Sequence, residues 1–338
     1  MPEFLTQLTT QTLQTGWGPW GFLILGSLLL WGGAEGLVRG AAGLARGLGL
    51  SPMIIGATIV AFGTSAPEWV VSISAQLDHK AGAAFGNIVG SNITNLALVL
   101  GVTATMMPIP VRGSVFRREL PLVLLAEALF FLLAWLGGVT RLDGVILLVT
   151  FAVLYLFLVR EALRSRTSPV IAKGELEELP KDEKKSWLLG LTFLGLFALT
   201  LGAQIFVGGA GVIGLRIGMS HEEIGLLILA FGTSLPELIT SVVAALRQQV
   251  DISLGNLLGS NLFNVLFVGG TLGIIRPFEV DSAQFYYHMP VMIFVTILIF
   301  PLVWHGKNRL VLQRSGGIVL LCCHFLWIGG TLWLRNRT

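Results

Sequence analysis

Two ten-residue stretches of this 338-residue chain carry the chemistry: Ala61–Val70 reads AFGTSAPEWV, and Ala230–Ile239 reads AFGTSLPELI. Each sets a glutamate (Glu68, Glu237), a proline (Pro67, Pro236) and two hydroxyls (Thr64 and Ser65, Thr233 and Ser234) inside an apolar run. In a helix, Pro67 supplies no N–H and its ring clashes with the carbonyl four residues back, that of Gly63. The helix must therefore kink, and carbonyls near the kink lose their partners. Thr64 and Glu68 lie four apart and share a face; Pro236 acts in the same way beneath Gly232, Thr233 and Glu237. Each bend thus gathers carbonyls, hydroxyls and one carboxylate, the hard oxygen donors that suit Ca2+ or Na+ rather than zinc or copper.

A second pair of stretches adds donors: GNIVGSNITN over Gly86–Asn95 and GNLLGSNLFN over Gly255–Asn264. Asn87, Ser91 and Asn95 fall at i, i+4 and i+8, one stripe of a helix, and Asn256, Ser260 and Asn264 form the matching stripe. Asn92 and Asn261 lie off the stripe and are expected to join helices. A charged side chain at the centre of a bilayer costs at least about 2.5–3.5 kcal/mol. No Lys or Arg lies within a helical turn or so of either glutamate in sequence, so a bound cation is the remaining partner. Ca2+ takes about six to eight oxygens, roughly what two bidentate carboxylates and the carbonyls of Thr64 and Thr233 provide. Two negative charges balance one Ca2+ or two Na+, so the two ions compete for one site. That competition is the thermodynamic core of an exchanger.

The surrounding chain has to be a membrane protein. It is 54% hydrophobic and 12% charged, with mean hydropathy +0.80, whereas soluble domains carry about 25% charged residues. Ten apolar runs are expected to cross the bilayer as helices, over 17–46, 51–76, 81–106, 114–137, 142–163, 187–215, 221–247, 252–275, 283–304 and 312–334. The first apolar run follows a basic-free N-terminus and is expected to stay with the protein. A hydrophilic stretch of mixed charge, 164–186, is expected to link a first five-helix repeat (1–163) to a second (187–338). With that linker in the cytoplasm, sixteen basic residues fall on the cytoplasmic side and six on the other, the positive-inside bias. Both termini then face outward. Basic residues set topology here, and nothing about them calls for nucleic acid; the partners are the bilayer and the two ions, in a monomeric chain of the cell (inner) membrane.

The repeat has a constant offset. Gly63 and Gly232, Glu68 and Glu237, Asn87 and Asn256, Asn92 and Asn261, and Asn95 and Asn264 are each 169 residues apart. Five helices per half is an odd number, so the second half enters from the other face. An inverted repeat is the signature of alternating access around a site at the midplane. A channel would share the oxygen-rich pocket but needs a continuous pore, and a hydrolase would need a positioned base beside Ser65 or Ser234, where no histidine lies close in sequence. The chain is therefore expected not to be an enzyme and to need no prosthetic group.

Other residues fit structural roles better. Glu35, matched by Gln204, is expected in helix packing or at the interface, and Glu127, matched by Thr296, as a buried acid with a structural role. The five histidines share no spacing, and Cys322 and Cys323 read as small apolar residues. Gly32, Gly36 and Gly40 repeat every four residues and offer a smooth face, with a differently patterned glycine-rich segment around Gly202, Gly208, Gly209 and Gly211.

With both signatures present, the chain resembles the calcium/cation antiporter superfamily, and within it the sodium/calcium exchangers, over essentially its whole length. The proton/calcium branch typically has a Gly-Asn-x-x-Glu form of the first signature, which neither copy shows. The resemblance implies an all-α polytopic protein whose first and sixth helices slide across eight packed helices that hold the ions. It implies Glu68 and Glu237 as shared carboxylate ligands, and Thr64 and Thr233 as carbonyl ligands of Ca2+. It also implies carbonyls of Ala61 and Ala230 and oxygens of Ser65, Ser91, Ser234 and Ser260 at flanking Na+ sites, with Asn95 and Asn264 in the middle. Where potassium-dependent members carry Asp, this chain has Asn264, which argues against K+ use. Exchange of Na+ for Ca2+ is the leading expectation; exchange of Ca2+ or another cation for protons is the alternative, kept open by Glu35 and Glu127.

Overall fold

A computed structural model describes residues 16–164, 184–219, 230–280, 284–306 and 309–335. Most of the expected linker and the first part of the expected seventh span (221–229) lie outside the described residues. The helices are α1 (Gly18–Leu48), α2 (Pro52–Thr64), α3 (Ala66–Leu77), α4 (Ala81–Met106), α5 (Leu120–Trp135), α6 (Arg141–Arg164), α7 (Lys185–Arg216), α8 (Ala230–Thr233), α9 (Leu235–Leu246), α10 (Val250–Ile275), α11 (Met289–Leu302) and α12 (Arg314–Arg335). Among the described residues seven helices are long and apolar enough to cross a membrane, or eight if the bent pair α2–α3 is one span. Most of the described part of each expected run is helical, with strand residues at the ends of the runs 283–304 and 312–334.

Proline starts several of these helices: it lies in the first positions of α1, α2, α3, α5, α9 and α11. At the starts of α1, α2, α3 and α9 its missing N–H removes no intrahelical bond. Helix α1 stops at Gly49, whose φ of 64° places it in the left-handed region, with Gly49 N–H and Leu50 N–H bonded back to the Arg46 and Ala45 carbonyls.

Helices α4 and α10 form the centre. Their side chains, with those of α5 and α11, make the larger apolar core, in which Phe85 stacks on Phe130. Each of the two carries a turn of π-helix, Thr94–Val99 in α4 and Phe263–Val268 in α10. Two more π turns, Val115–Glu119 and Gln284–His288, lead into α5 and α11. Both pairs keep the offset of 169, and apolar periodicity gives no sign of them.

Helices α1 and α7 lie antiparallel on one flank, 31 and 32 residues long. Their contact differs from the four-residue glycine stripe. Gly26, Gly33 and Gly40 of α1 and Gly195, Gly202 and Gly209 of α7, each seven residues from the next, lie in the contact: Gly33 meets Gly195 and Gly26 meets Gly202, while Gly40 meets Leu188 and Thr192 and Gly209 meets Pro19 and Leu23. A Cβ on Gly33 would lie 2.7 Å from Leu199 N, one on Gly202 2.8 Å from Leu30 N, and one on Gly26 2.7 Å from Phe206 N. Gly32 and Gly208 face open space. Seven residues are about two helical turns, so at a shallow crossing every second turn touches. The two glycine sets correspond one to one at the offset of 169, and the α7 set shares the α1 pattern.

One feature departs from the all-α expectation. Strands β1 (Ile109–Val111), β2 (Val303–Gly306) and β3 (Arg309–Leu312) form an antiparallel sheet of order β1-β3-β2. It ties the α4–α5 connection to the α11–α12 connection, with Ile109 paired to Leu312 and both buried. Three or four residues per strand are too few for an alternating pattern to stand out among apolar neighbours.

Candidate cation site

The two signature stretches break their helices in the same way. Ser65 interrupts α2–α3 with φ −87° and ψ 3°, and Ser234 interrupts α8–α9 with φ −89° and ψ 3°. The bend between α2 and α3 is 42°. Pro67 and Pro236 thereby become early residues of new helices, and Glu68 and Glu237 fall in first turns. Backbone N–H groups of a first turn have no intrahelical partner and favour a carboxylate. Each glutamate's own backbone N–H acts on its carboxylate. The carbonyl ends of the preceding segments, Ala61–Thr64 and Ala230–Thr233, abut the same breaks.

The breaks meet. Glu68 is 2% exposed and Glu237 fully buried, and the two carboxylates are close enough to act on one another. Ser65 Oγ donates to Glu237 Oε1 at 2.9 Å, and Thr64 Oγ1 donates to Asn256 Oδ1 at 3.0 Å. Hence α2–α3 of the first stretch is joined directly to α9 and α10 of the second. The second oxygens of Glu68 and Glu237, Ser234 Oγ, Asn95 Oδ1 and both amide atoms of Asn264 are buried without a hydrogen bond among the described residues. Ser91 and Ser260 are buried too, as are Thr64 and Ala61, while Thr233 is half-buried. Among the described residues no basic side chain acts on either glutamate. Buried carboxylates are costly unless a positive charge compensates them, and this set of hard oxygens fits Na+ or Ca2+.

Helices α4 and α10 cross at the same place. Asn92 Nδ2 donates to the Asn261 carbonyl at 3.2 Å, and Asn261 Nδ2 returns a bond to the Asn92 carbonyl at 3.3 Å. Asn95 Nδ2 donates to Asn261 Oδ1 at 3.1 Å. The two asparagines off the stripe thus join helices, as expected of them. Asn95 and Asn264 each sit in the first two residues of a π turn, where the i→i+4 ladder is interrupted; such turns are frequent at functional sites.

Several site residues lie beyond the ones the motifs single out. Asn87 Nδ2 donates to Ser72 Oγ at 2.9 Å and to the Glu68 carbonyl at 3.2 Å, and Asn256 Nδ2 makes the matching contact with Ser241 Oγ at 3.4 Å. These amides lock the glutamate-bearing helices onto α4 and α10. Glu68, Ser72 and Gln76 form the buried face of α3; their spacing of four was the available signal. Gln76 Nε2 donates to the Arg276 carbonyl at 2.7 Å. Glu127 is fully buried in α5 and faces Thr296, its counterpart 169 residues on. Glu35 is not in the cluster: it forms an ion pair with Arg247.

The model of the sodium/calcium exchanger protein family matches residues 18–160 and 187–333. This chain belongs to the sodium/calcium exchanger family. Among its relatives, the "putative antiporter CaxA" of Alkalimonas amylolytica is 39% identical over 89% of this chain and 94% of its own. The inner membrane protein YrbG of Escherichia coli is 35% identical over 92% and 96%. The sodium/calcium exchanger MaX1 of Methanosarcina acetivorans is 29% identical over 88% and 94%. A solved structure of the sodium-calcium exchanger NCX_Mj, soaked with Na+ and Ca2+, superposes with a TM-score of 0.79 at 29% identity, covering 92% of this chain and 97% of its own. The chain is thus a helical membrane protein of a family of cation transporters.

Proposed function

We propose that this chain is a secondary antiporter that exchanges Na+ for Ca2+ by alternating access. The carrying observation is the pair of buried glutamates at matching helix breaks, set in one oxygen cluster where no basic side chain among the described residues acts on them. Glu68 and Glu237 are the shared carboxylate ligands. Thr64 and Thr233 give carbonyls to Ca2+; the carbonyls of Ala61 and Ala230 and the hydroxyls of Ser65, Ser91, Ser234 and Ser260 serve flanking Na+; Asn95 and Asn264 hold the centre. One Ca2+ or two Na+ neutralise the same two charges, so either cargo allows the site to close, and the bare site resists closure because its carboxylates repel.

The architecture in this reading is ten membrane spans in two inverted repeats, 1–163 and 187–338, joined by the linker 164–186. Reciprocal bonding of Asn92 and Asn261 supports it, because residues at matching positions meet each other only near a twofold relation. The positive-inside bias puts the linker in the cytoplasm and both termini outside, in the cell membrane, with each monomer complete. Asn264 in place of Asp favours Na+ without K+.

The test is 45Ca2+ uptake into proteoliposomes loaded with Na+. Uptake driven by an outward Na+ gradient and abolished in Glu68→Gln and Glu237→Gln is the expected result. One observation favours a second reading, exchange for protons: Glu127 is a fully buried acid on which only the Thr296 hydroxyl acts among the described residues. Uptake that ignores Na+ but follows a pH gradient, and is lost in Glu127→Gln, would select it.

A further inference from the structure

The face of the molecule at which α6 ends and α7 begins, the linker face, is closed differently from the opposite face. At the linker face α1 packs along α9: Leu30, Ala34, Leu37, Val38 and Ala41 share one apolar cluster with Leu235, Val243 and Ala244. The matching contact, of α7 with α3, is not made to any extent among the described residues. Over the first contact sits an ion pair with two prongs. Arg247, just past the end of α9, places Nη2 2.7 Å from Glu35 Oε1 of α1 and donates from Nε to Glu35 Oε2 at 3.0 Å. Two-pronged guanidinium–carboxylate pairing fixes orientation as well as distance.

The positions 169 residues away carry no such pair. Glu35 corresponds to Gln204 and Arg247 to Asp78. Both are exposed, and neither side chain makes a hydrogen bond or ion pair among the described residues. An amide and a carboxylate, brought together, form at best a singly charged hydrogen bond where the other face has a full ion pair.

We propose that the Glu35–Arg247 pair is a one-sided latch: it holds the linker face shut, has no equivalent at the other face, and makes the two end states of the transport cycle unequal. This rests on the inverted-repeat, alternating-access reading above. In the state open to the linker face, α1 leaves α9 and the pair is parted; the matching approach of α7 to α3 then brings Gln204 to Asp78. An interaction present in only one of two states shifts their ratio by its own free energy. The pair is largely exposed, the guanidinium at 62% and the carboxylate at 35%, so its effect is modest, about two- to fivefold in population, and weakens as salt rises.

The experiment is hydrogen–deuterium exchange of the full-length protein in lipid nanodiscs, read at the linker-face ends of α1 and α9, with α10 as reference. Arg247→Gln and Glu35→Gln should each speed exchange there about two- to fivefold, the paired exchange Glu35→Arg with Arg247→Glu should restore it, and α10 should not change. Gln204→Arg supplies the missing partner for Asp78 on the far face. It should also speed exchange at the linker face, which a purely local loss of contact cannot explain. Unchanged exchange in Arg247→Gln, no restoration in the paired variant, or no effect of Gln204→Arg each overturns the latch. These outcomes do not depend on Ca2+ flux, so a protein that carries no Ca2+ would sink the antiport reading while the latch is judged separately.

Discussion

Two helix pairs meet near matching positions of the repeat, and they are built from opposite materials. Where α4 crosses α10, the contact is polar: Asn92 and Asn261 exchange side-chain-to-carbonyl bonds, and Asn95 adds a third. Where α1 lies along α7, the contact is apolar and close, with Gly33 against Gly195, Gly26 against Gly202, and Leu30, Leu37, Leu199 and Phe206 packed around them. Directional bonds define one arrangement and penalise every other. A glycine-lined apolar contact has no directional bonds to break, so displacement along it costs less. The oxygen cluster is attached to the first kind of contact through Asn87 and Asn256. The family expectation of a fixed ion-holding core and a moving pair thus has a chemical basis in this chain.

The largest effect expected from breaking this division lies at the cluster. Removing one of two buried charges that share a divalent cation costs about 2–5 kcal/mol, roughly thirty- to several-thousandfold in affinity. Glu68→Gln and Glu237→Gln should therefore each abolish measurable 45Ca2+ binding to the purified protein while it remains folded. Next comes the glycine contact. Gly33→Leu drives a side chain into the backbone of Leu199 and should lower thermal stability by about 1–3 kcal/mol. If it also stops flux while Ca2+ binding to detergent-solubilised protein persists, the contact serves motion rather than the site. The asparagine crossing should show a smaller coupling: a double-mutant cycle of Asn92→Ala and Asn261→Ala is expected near about 0.6 and no more than about 1.7 kcal/mol, as for other hydrogen bonds between membrane helices. Zero coupling would remove the polar half of the comparison. Least of all, Gly32→Ala should leave transport unchanged and stabilise by up to about 1 kcal/mol, because nothing lies within 4 Å of the added methyl; a loss of function there would restore the four-residue stripe.

The chemistry was legible before the fold. A proline, two hydroxyls and a glutamate repeated at a constant offset in apolar surroundings dictate a broken helix with stranded oxygens, since proline cannot donate and a lone carboxylate cannot remain bare in hydrocarbon. Family, helical membrane class and the motif residues followed from the sequence. Three features did not. The π turns at Asn95 and Asn264 leave composition and apolar period almost untouched. The seven-residue glycine contact was hidden because Gly32 and Gly36 completed a more conspicuous spacing, and only the crossing of two helices decides which glycines touch. Glu35 matched an uncharged Gln204 in the repeat, yet its partner Arg247 stands 212 residues away. Sequence fixes which groups must find a partner, because the cost of burying them is local. Which partner they find is set by how helices far apart in the chain pack together, and that the tertiary structure alone decided.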